Sequence, residues 1–312
     1  AAVGSSARQM AEEEDVPVPE AVAALVAGAA MGDTVPPSIP LIVLSSVSSL
    51  SVGALFVAGI LPAVTMAIAL AVLIWLRWRK KPRTRPSVIM PMKEKVRALG
   101  IAVPVMVIPV FLVGAIITGI ATPSEASAIA VLVSVAVCAC YRSASPRALM
   151  KVAVESSVIA GVVLFIISAA TLFARVLTLA EVPQRLGQLI ANDHFGKWGF
   201  LVLSTIVLVA MGMIMEGVPA VLIFGPLLIP IALQLGINGL HYGIVLAVAI
   251  GIGANSPPIG VGVFVAAQIG KVEMTDVAKR LRPYLVALYI GLIAIVFIPW
   301  IVTWLPDLLH VT

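Results

Sequence analysis

Between Gly251 and Gly262 the chain reads Gly-Ile-Gly-Ala-Asn-Ser-Pro-Pro-Ile-Gly-Val-Gly, a polar interruption rich in glycine and proline. The sequence on both sides is hydrophobic enough to lie in a bilayer. In lipid a backbone N–H or C=O has no water to bond with, so it must find a partner in the protein or line a polar cavity. Pro257 and Pro258 carry no N–H and stop the helical ladder, while Asn255 and Ser256 add side-chain polarity. The stretch therefore predicts a helix unwound inside the membrane, the arrangement in which secondary transporters hold an ion and a substrate near the midplane.

Composition agrees. Of the 312 residues 61% are hydrophobic and 11% are charged, against about 25% charged in a soluble domain. The formal charge of +5 does not point to nucleic acid, because the basic residues form short runs between apolar spans, as topology determinants do. Cys138 and Cys140 share an apolar segment and read as small packing residues. His194, His241 and His310 are scattered, and there is neither a nucleophile elbow nor a phosphate-binding glycine loop. Neither enzyme chemistry nor a cofactor is expected.

The predicted fold is all-α: a polytopic membrane protein with inverted repeats, broken transmembrane helices and a re-entrant hairpin. Residues 1–19 are polar, with the acidic run Glu12 to Asp15. Residues 20–76 form a first repeat, with apolar halves Glu20–Gly32 and Leu41–Leu50 around a break at Asp33–Pro40, then a span from Ala54 to Leu76. Neither half reaches the roughly 20 residues a crossing needs, so together they predict a broken helix. A basic cytoplasmic loop occupies 77–97, and 98–197 carry connecting spans. One of these opens on Thr122-Pro-Ser-Glu125, the spacing of a capping box. Residues 198–312 form a second repeat: hairpin arms Trp198–Ile214 and Ala220–Leu235 around Met215–Pro219, the broken helix Tyr242–Gly270, a charged segment Lys271–Arg282 and a last span Tyr284–Trp304.

Charge placement selects this layout. If 198–235 crossed twice and 242–270 formed the hairpin, Lys271–Arg282 would fall outside, against the positive-inside rule. Adding 221 to a residue number then superposes the two breaks: Leu25 falls on Leu246, Gly32 on Gly253, Pro36 and Pro37 on Pro257 and Pro258, and Pro62 on Pro283. In this topology the first broken helix runs outward and the second inward, the inverted repeat expected of alternating access.

Candidate site residues follow from the breaks. Glu216 lies at the hairpin tip, where an unpaired carboxylate in a low-dielectric setting calls for a bound cation or proton; the alternative is that it caps the following helix. Asn255 and Ser256 supply side-chain oxygens beside the free carbonyls of Gly251 to Gly253. That hard-oxygen set suits Na⁺ better than a transition metal, and the alternative is a proline kink without a ligand. Asp33, Thr34 and Ser38 surround the first break as a matching site. Arg175 either pairs with a substrate carboxylate or snorkels; its place within about one turn of a polar end favours snorkelling.

Six stretches carry a family resemblance in order: Val35-Pro-Pro-Ser-Ile-Pro40, Leu55-Phe-Val-Ala-Gly-Ile-Leu-Pro62, Thr122-Pro-Ser-Glu-Ala126, Gly212-Met-Ile-Met-Glu-Gly217, Leu240-His-Tyr-Gly243 and Ser256-Pro-Pro-Ile-Gly260. From Glu20 onward the chain resembles the large membrane subunit of the tripartite ATP-independent periplasmic (TRAP) transporters. The resemblance implies a Na⁺-coupled importer of organic acids in the bacterial inner membrane, surrounded by lipid. It also implies a small membrane subunit and a periplasmic solute-binding protein as partners, and an elevator-like motion. It points to Gly212, Glu216 and Gly217 at the hairpin tip, to Asn255, Ser256, Pro257 and Pro258 at the second break, and to Pro36, Pro37 and Ser38 at the first. Two departures stand out. The family's roughly hundred preceding residues, with most of a first hairpin, do not precede Ala1, and residues 1–19 read as a remnant of that hairpin. Position 216 is Glu where the family usually has Asp. These departures leave a truncated, non-transporting remnant or assembly component as the alternative function.

Overall fold

The computed structural model describes residues 11, 16–79, 91–141, 145–182, 185 and 196–311. The regular structure among them is helical. In chain order the helices are α1 (Val18–Ala29), α2 (Ile39–Val47), α3 (Val52–Trp78), α4 (Met92–Ile117), α5 (Pro123–Cys140) and α6 (Pro146–Leu179). There follow α7 (Gly196–Ile214), α8 (Gly217–Gln234), α9 (Gly239–Ala254), α10 (Val261–Gly270), α11 (Met274–Phe297) and α12 (Trp300–Leu308). Six of them, α3, α5, α6, α7, α8 and α11, are long and apolar enough to cross a membrane. The protein is a multi-pass membrane protein, and its helices satisfy their own backbone, as lipid requires.

The helix starts have local causes. Ser38, Ser51 and Asn238 each accept a backbone N–H of the turn that follows, from Leu41, Ala54 and both Leu240 and His241 respectively. At α5 the expected capping box is complete: Thr122 Oγ1 accepts from Glu125 N, and Glu125 Oε2 accepts from Thr122 N at 2.8 Å. The expected remnant hairpin over 1–19 falls almost wholly outside the described residues.

Two compact units divide the chain, residues 87–172 and the remainder, 1–86 with 173–312. In the first, α4 packs against α5 through a turn at Gly119, whose φ of 70° suits a residue without a Cβ. The part of α6 in this unit exposes Val154, Val158, Ile159, Leu164 and Phe165 on several faces, as a span bathed in lipid does.

The larger unit is built on the repeat. The shift of 221 maps α1, α2 and α3 onto α9, α10 and α11, and the packing obeys it. The α1–α11 contact has its counterpart in α9–α3, α1–α10 in α9–α2, and α2–α3 in α10–α11, while α3–α11 maps onto itself. Glycine contacts set the directions. A Cβ on Gly270, at the end of α10, would meet Val22 near the start of α1; Cβ atoms on Gly239 and Gly243, at the start of α9, would meet Leu50 and Leu44 beyond and within α2. The two broken helices therefore run antiparallel, each beginning where the other ends, with the breaks between. Repeats of opposite sense are what the sequence predicts. Pro36–Pro37 and Pro257–Pro258 are both cis.

The charged ends of these helices gather at one side. Glu20, at the start of α1, is buried and receives Arg77 from the end of α3, at 2.9 Å, and Arg280 from the start of α11, at 3.1 Å. Tyr284 donates to the same carboxylate at 2.8 Å. The charged segment Lys271–Arg282 is thus not a separate piece before the last span. From Met274 onward it is the first turns of α11, whose charges remain at the basic end of the helix while Arg280 reaches Glu20. At the other end α11 stops at Phe297, because Pro299 supplies no N–H, and the chain restarts as α12.

Helices α7 and α8, of 19 and 18 residues, are each long enough to cross. Their connection nevertheless lies at the breaks of the two antiparallel helices. A Cβ on Gly217 would sit 3.2 Å from Asp33, and one on Gly212 would sit 2.6 Å from the Ile250 carbonyl. The tip ends partway through the fold, which makes the pair a re-entrant hairpin.

Candidate ion and substrate site

Three pieces of backbone converge at the breaks: the C-terminal ends of α1 and α9, and the α7–α8 tip. Their approach depends on glycine. A Cβ on Gly251 would lie 3.0 Å from the Ala30 carbonyl oxygen and 2.9 Å from Asp33 Oδ2. Gly212 and Gly253 face one another so closely that a Cβ on Gly253 would overlap the Val209 carbonyl oxygen and lie 2.9 Å from Gly212 Cα. Apart from the Asp33 carboxylate these are backbone contacts, which cannot rotate away as side chains do.

Asp33 occupies the centre. Its carboxylate lies against Gly251 on one side and Gly217, the first residue of α8, on the other. There it meets the positive end of the α8 dipole. The tip carboxylate, Glu216, is near enough for its charge to act on Asp33. Glu216 stands at the N-cap of α8 with extended backbone, yet its side chain makes no capping bond, and it is exposed. The low-dielectric setting expected for Glu216 is therefore corrected: Asp33 is the carboxylate enclosed by protein, and Glu216 stands at the open side. Among the described residues neither makes an ion pair with Lys or Arg.

At the first break Ser38 serves both ends, donating to the Asp33 carbonyl at 2.6 Å and accepting from Leu41 N at the start of α2. Thr34 is fully buried, with no hydrogen-bond partner for its hydroxyl. At the second break the carbonyls of Gly251 to Gly253, expected to be free, are taken up locally. Asn255 Nδ2 donates to Gly251 O at 3.0 Å, Ser256 Oγ to Ile252 O at 2.7 Å, and Ser256 N to Gly253 O at 2.8 Å. The polar side chains cap the broken helix because its last carbonyls have no later turn to bond. Each carbonyl keeps a second lone pair. Asn255 Oδ1 is not used in this cap and lies where a Cβ on Gly262 would be. Pro37 and Pro258 are exposed, Pro36 and Pro257 half-buried.

The structure thus brings Asp33, Glu216 and Gly217 into one cluster with Gly251, joins Gly212 to Gly253 beneath it, and places Asn255 and Ser256 at the same end of α9. Arg175 is exposed on α6. Sequence reasoning missed Gly59 of α3, where a Cβ would lie 2.6 Å from the Thr34 carbonyl oxygen, and Gly262. It also missed Tyr289 of α11, whose hydroxyl is 3.1 Å from Ser256 Oγ. Gly262 closes the stretch that the sequence singles out, but its contact with Asn255, like those of Gly59 and Tyr289 in their apolar helices, is revealed only by the packing.

Two broken helices of opposite sense, closed by a re-entrant tip at their breaks, define a polytopic transporter of the inverted-repeat kind. Comparison with known proteins gives the family: the profile of the tripartite ATP-independent periplasmic transporter, DctM component, matches residues 1–301. The chain belongs to this family, whose members are transporters and not enzymes. It is 33% identical over 279 residues to the C4-dicarboxylate TRAP transporter large permease protein DctM of Pseudomonas aeruginosa, an alignment covering 89% of this chain and 65% of that one. It is 33% identical over 300 residues to the Rhodobacter capsulatus protein of the same name, covering 90% and 67%. Identity to the uncharacterised protein YgiK of Salmonella typhimurium is also 33%, over 309 residues, covering 99% and 71%. The chain therefore spans about two thirds of the length of the curated relatives it matches.

Proposed function

We propose that this chain is the large membrane subunit of a Na⁺-coupled importer of small organic acids in the bacterial inner membrane. It works with a small membrane subunit and a periplasmic solute-binding protein. One observation carries the reading: the Asp33 carboxylate is lodged between Gly251, at the end of α9, and Gly217, next to Glu216 at the hairpin tip, and among the described residues neither acid makes an ion pair with Lys or Arg. An acid enclosed in a membrane protein without a basic partner calls for a bound cation or a proton. Hard oxygen ligands favour Na⁺ over softer metals, and Na⁺ here is cargo. A bound cation turns a cleft that repels anions into one that accepts them, so ion and substrate bind cooperatively and each raises the affinity of the other. Relatives named for C4-dicarboxylate, isethionate, 2,3-diketo-L-gulonate and sialic acid transport support an organic-acid cargo. The family's elevator-like motion would carry the hairpin-bearing part with its load.

The test is uptake of a panel of labelled organic acids, C4-dicarboxylates included, into proteoliposomes holding the full-length permease with its cognate partners. Uptake is expected to require an inward Na⁺ gradient and to be lost in Asp33→Asn and in Asn255→Ala. Uptake indifferent to Na⁺, or unchanged in both variants, would overturn the reading.

A further inference from the structure

We propose that Tyr289 is a positioning residue for ion binding that acts through Ser256; this rests on the reading of a Na⁺ site at the second break. Ser256 is buried, and its hydroxyl lies between two oxygens, the Ile252 carbonyl at 2.7 Å and the Tyr289 hydroxyl at 3.1 Å. A serine hydroxyl has one proton and two lone pairs. The shorter contact is to a carbonyl, which only accepts, so Ser256 donates there. Tyr289 then donates to Ser256, and both protons are used. One Ser256 lone pair remains, in a direction fixed by the other two bonds. Without Tyr289 the rotor keeps its bond to Ile252 but loses the constraint that presents this lone pair.

The first repeat argues that the pair serves the site and not the bend. Subtracting 221 maps Ser256 onto Val35 and Tyr289 onto Ile68, both exposed apolar residues. The first helix breaks at the same place, with the same two prolines, and no hydroxyl pair. Tyr289 is thus dispensable for the architecture and present only in the half that carries Asn255 and Ser256. Its reach from α11 to the end of α9 also couples the last long span to the ion ligands.

The experiment is a Na⁺ titration of thermal unfolding with the purified full-length protein, since a ligand that binds the native state raises Tm with a midpoint set by its affinity. Tyr289→Phe removes one hydroxyl. Loss of the constraint on the Ser256 lone pair is expected to move the Na⁺ midpoint up roughly fivefold, about 1 kcal/mol of ion-binding free energy, separately from the fall in Na⁺-free Tm that the lost Tyr289–Ser256 bond itself causes. In the Ser256→Ala background, Tyr289→Phe is expected to add nothing. An unmoved midpoint overturns the proposal, whether or not Tm falls, as does a shift that adds in full to that of Ser256→Ala. Tyr289→Phe carries the test alone if Ser256→Ala does not fold. Absence of any Na⁺ response in the wild type would bring down the parent reading as well; a normal wild-type response with an unmoved variant brings down this one only.

Discussion

Glu20 is the place where a single atom change should do most to stability. Its side chain is 3% exposed, between Arg77 at 32% and Arg280 at 40%. Arg77 Nη2 and Arg280 Nη1 donate to Oε2 at 3.3 and 3.1 Å, Tyr284 donates to Oε1 at 2.8 Å, and the Arg77 guanidinium lies 5.5 Å from the Tyr284 ring centre. Arg77 Nη1 is 2.9 Å from Oε1 without a hydrogen-bond alignment, so that contact is purely coulombic. Glu20→Gln keeps the shape and removes the charge. Breaking a fully buried ion pair costs about 3–5 kcal/mol. Both arginines are about a third exposed and recover part of that through water, so the cost falls to roughly 2–3 kcal/mol, including the weakened Tyr284 bond. At about 2–4 °C per kcal/mol for a unit of this size, Tm falls by ~5–10 °C. The assay is thermal unfolding in detergent at low and high NaCl, with the double variant Glu20→Gln, Arg280→Gln. The loss is expected to change little with salt, because the carboxylate is shielded from bulk ions. The double variant should lose less than the two single losses together. A Glu20→Gln protein within about 1 °C of the wild type, or simple additivity, would refute the reasoning.

Three further outcomes are expected. Gly253→Ala drives a methyl into the Val209 and Gly212 backbone, so about 1–3 kcal/mol of stability is lost by overpacking, read as reduced Tm together with abolished uptake. Gly262→Ala displaces the Asn255 amide oxygen, and uptake is expected to need several times more Na⁺ while the folded yield, followed by size-exclusion chromatography, stays near wild type. Thr122→Ala removes a capping box on α5 and costs about 1 kcal/mol, visible as faster amide hydrogen exchange over the first turn with no change in the Na⁺ requirement.

The architecture was legible because bilayer physics leaves few choices. Apolar length marks the spans, and proline pairs mark the breaks, which occur where expected on either side of Asp33–Ser38 and Asn255–Gly260. The repeat was legible because Pro36, Pro37 and Pro62 keep their spacing in Pro257, Pro258 and Pro283. The site was read less completely. The residue types at both breaks drew attention, but which carboxylate is enclosed depends on packing between segments far apart in sequence: Asp33 is sheltered by Gly217 and Gly251, and Glu216 is not. Helix α11 begins at Met274, ahead of the span expected from Tyr284, and its charged first turns find a counter-charge in Glu20, far away in the chain. Gly59, Gly262 and Tyr289 act only through what approaches them.

The correspondence between the repeats ends at the charges. Asp33 maps onto Ala254, Ser256 onto Val35 and Asn255 onto the buried Thr34, so the frame exists twice while the acid at the break exists once. Two copies of a broken helix give the protein matching leverage toward either face of the membrane. Confining the acid to one copy halves the number of ions that the membrane interior has to tolerate. Mechanical symmetry and chemical asymmetry are thereby separable: in the proposed transport cycle the backbone would supply a reversible path, and a single charged cluster would be where a bound ion biases movement along it.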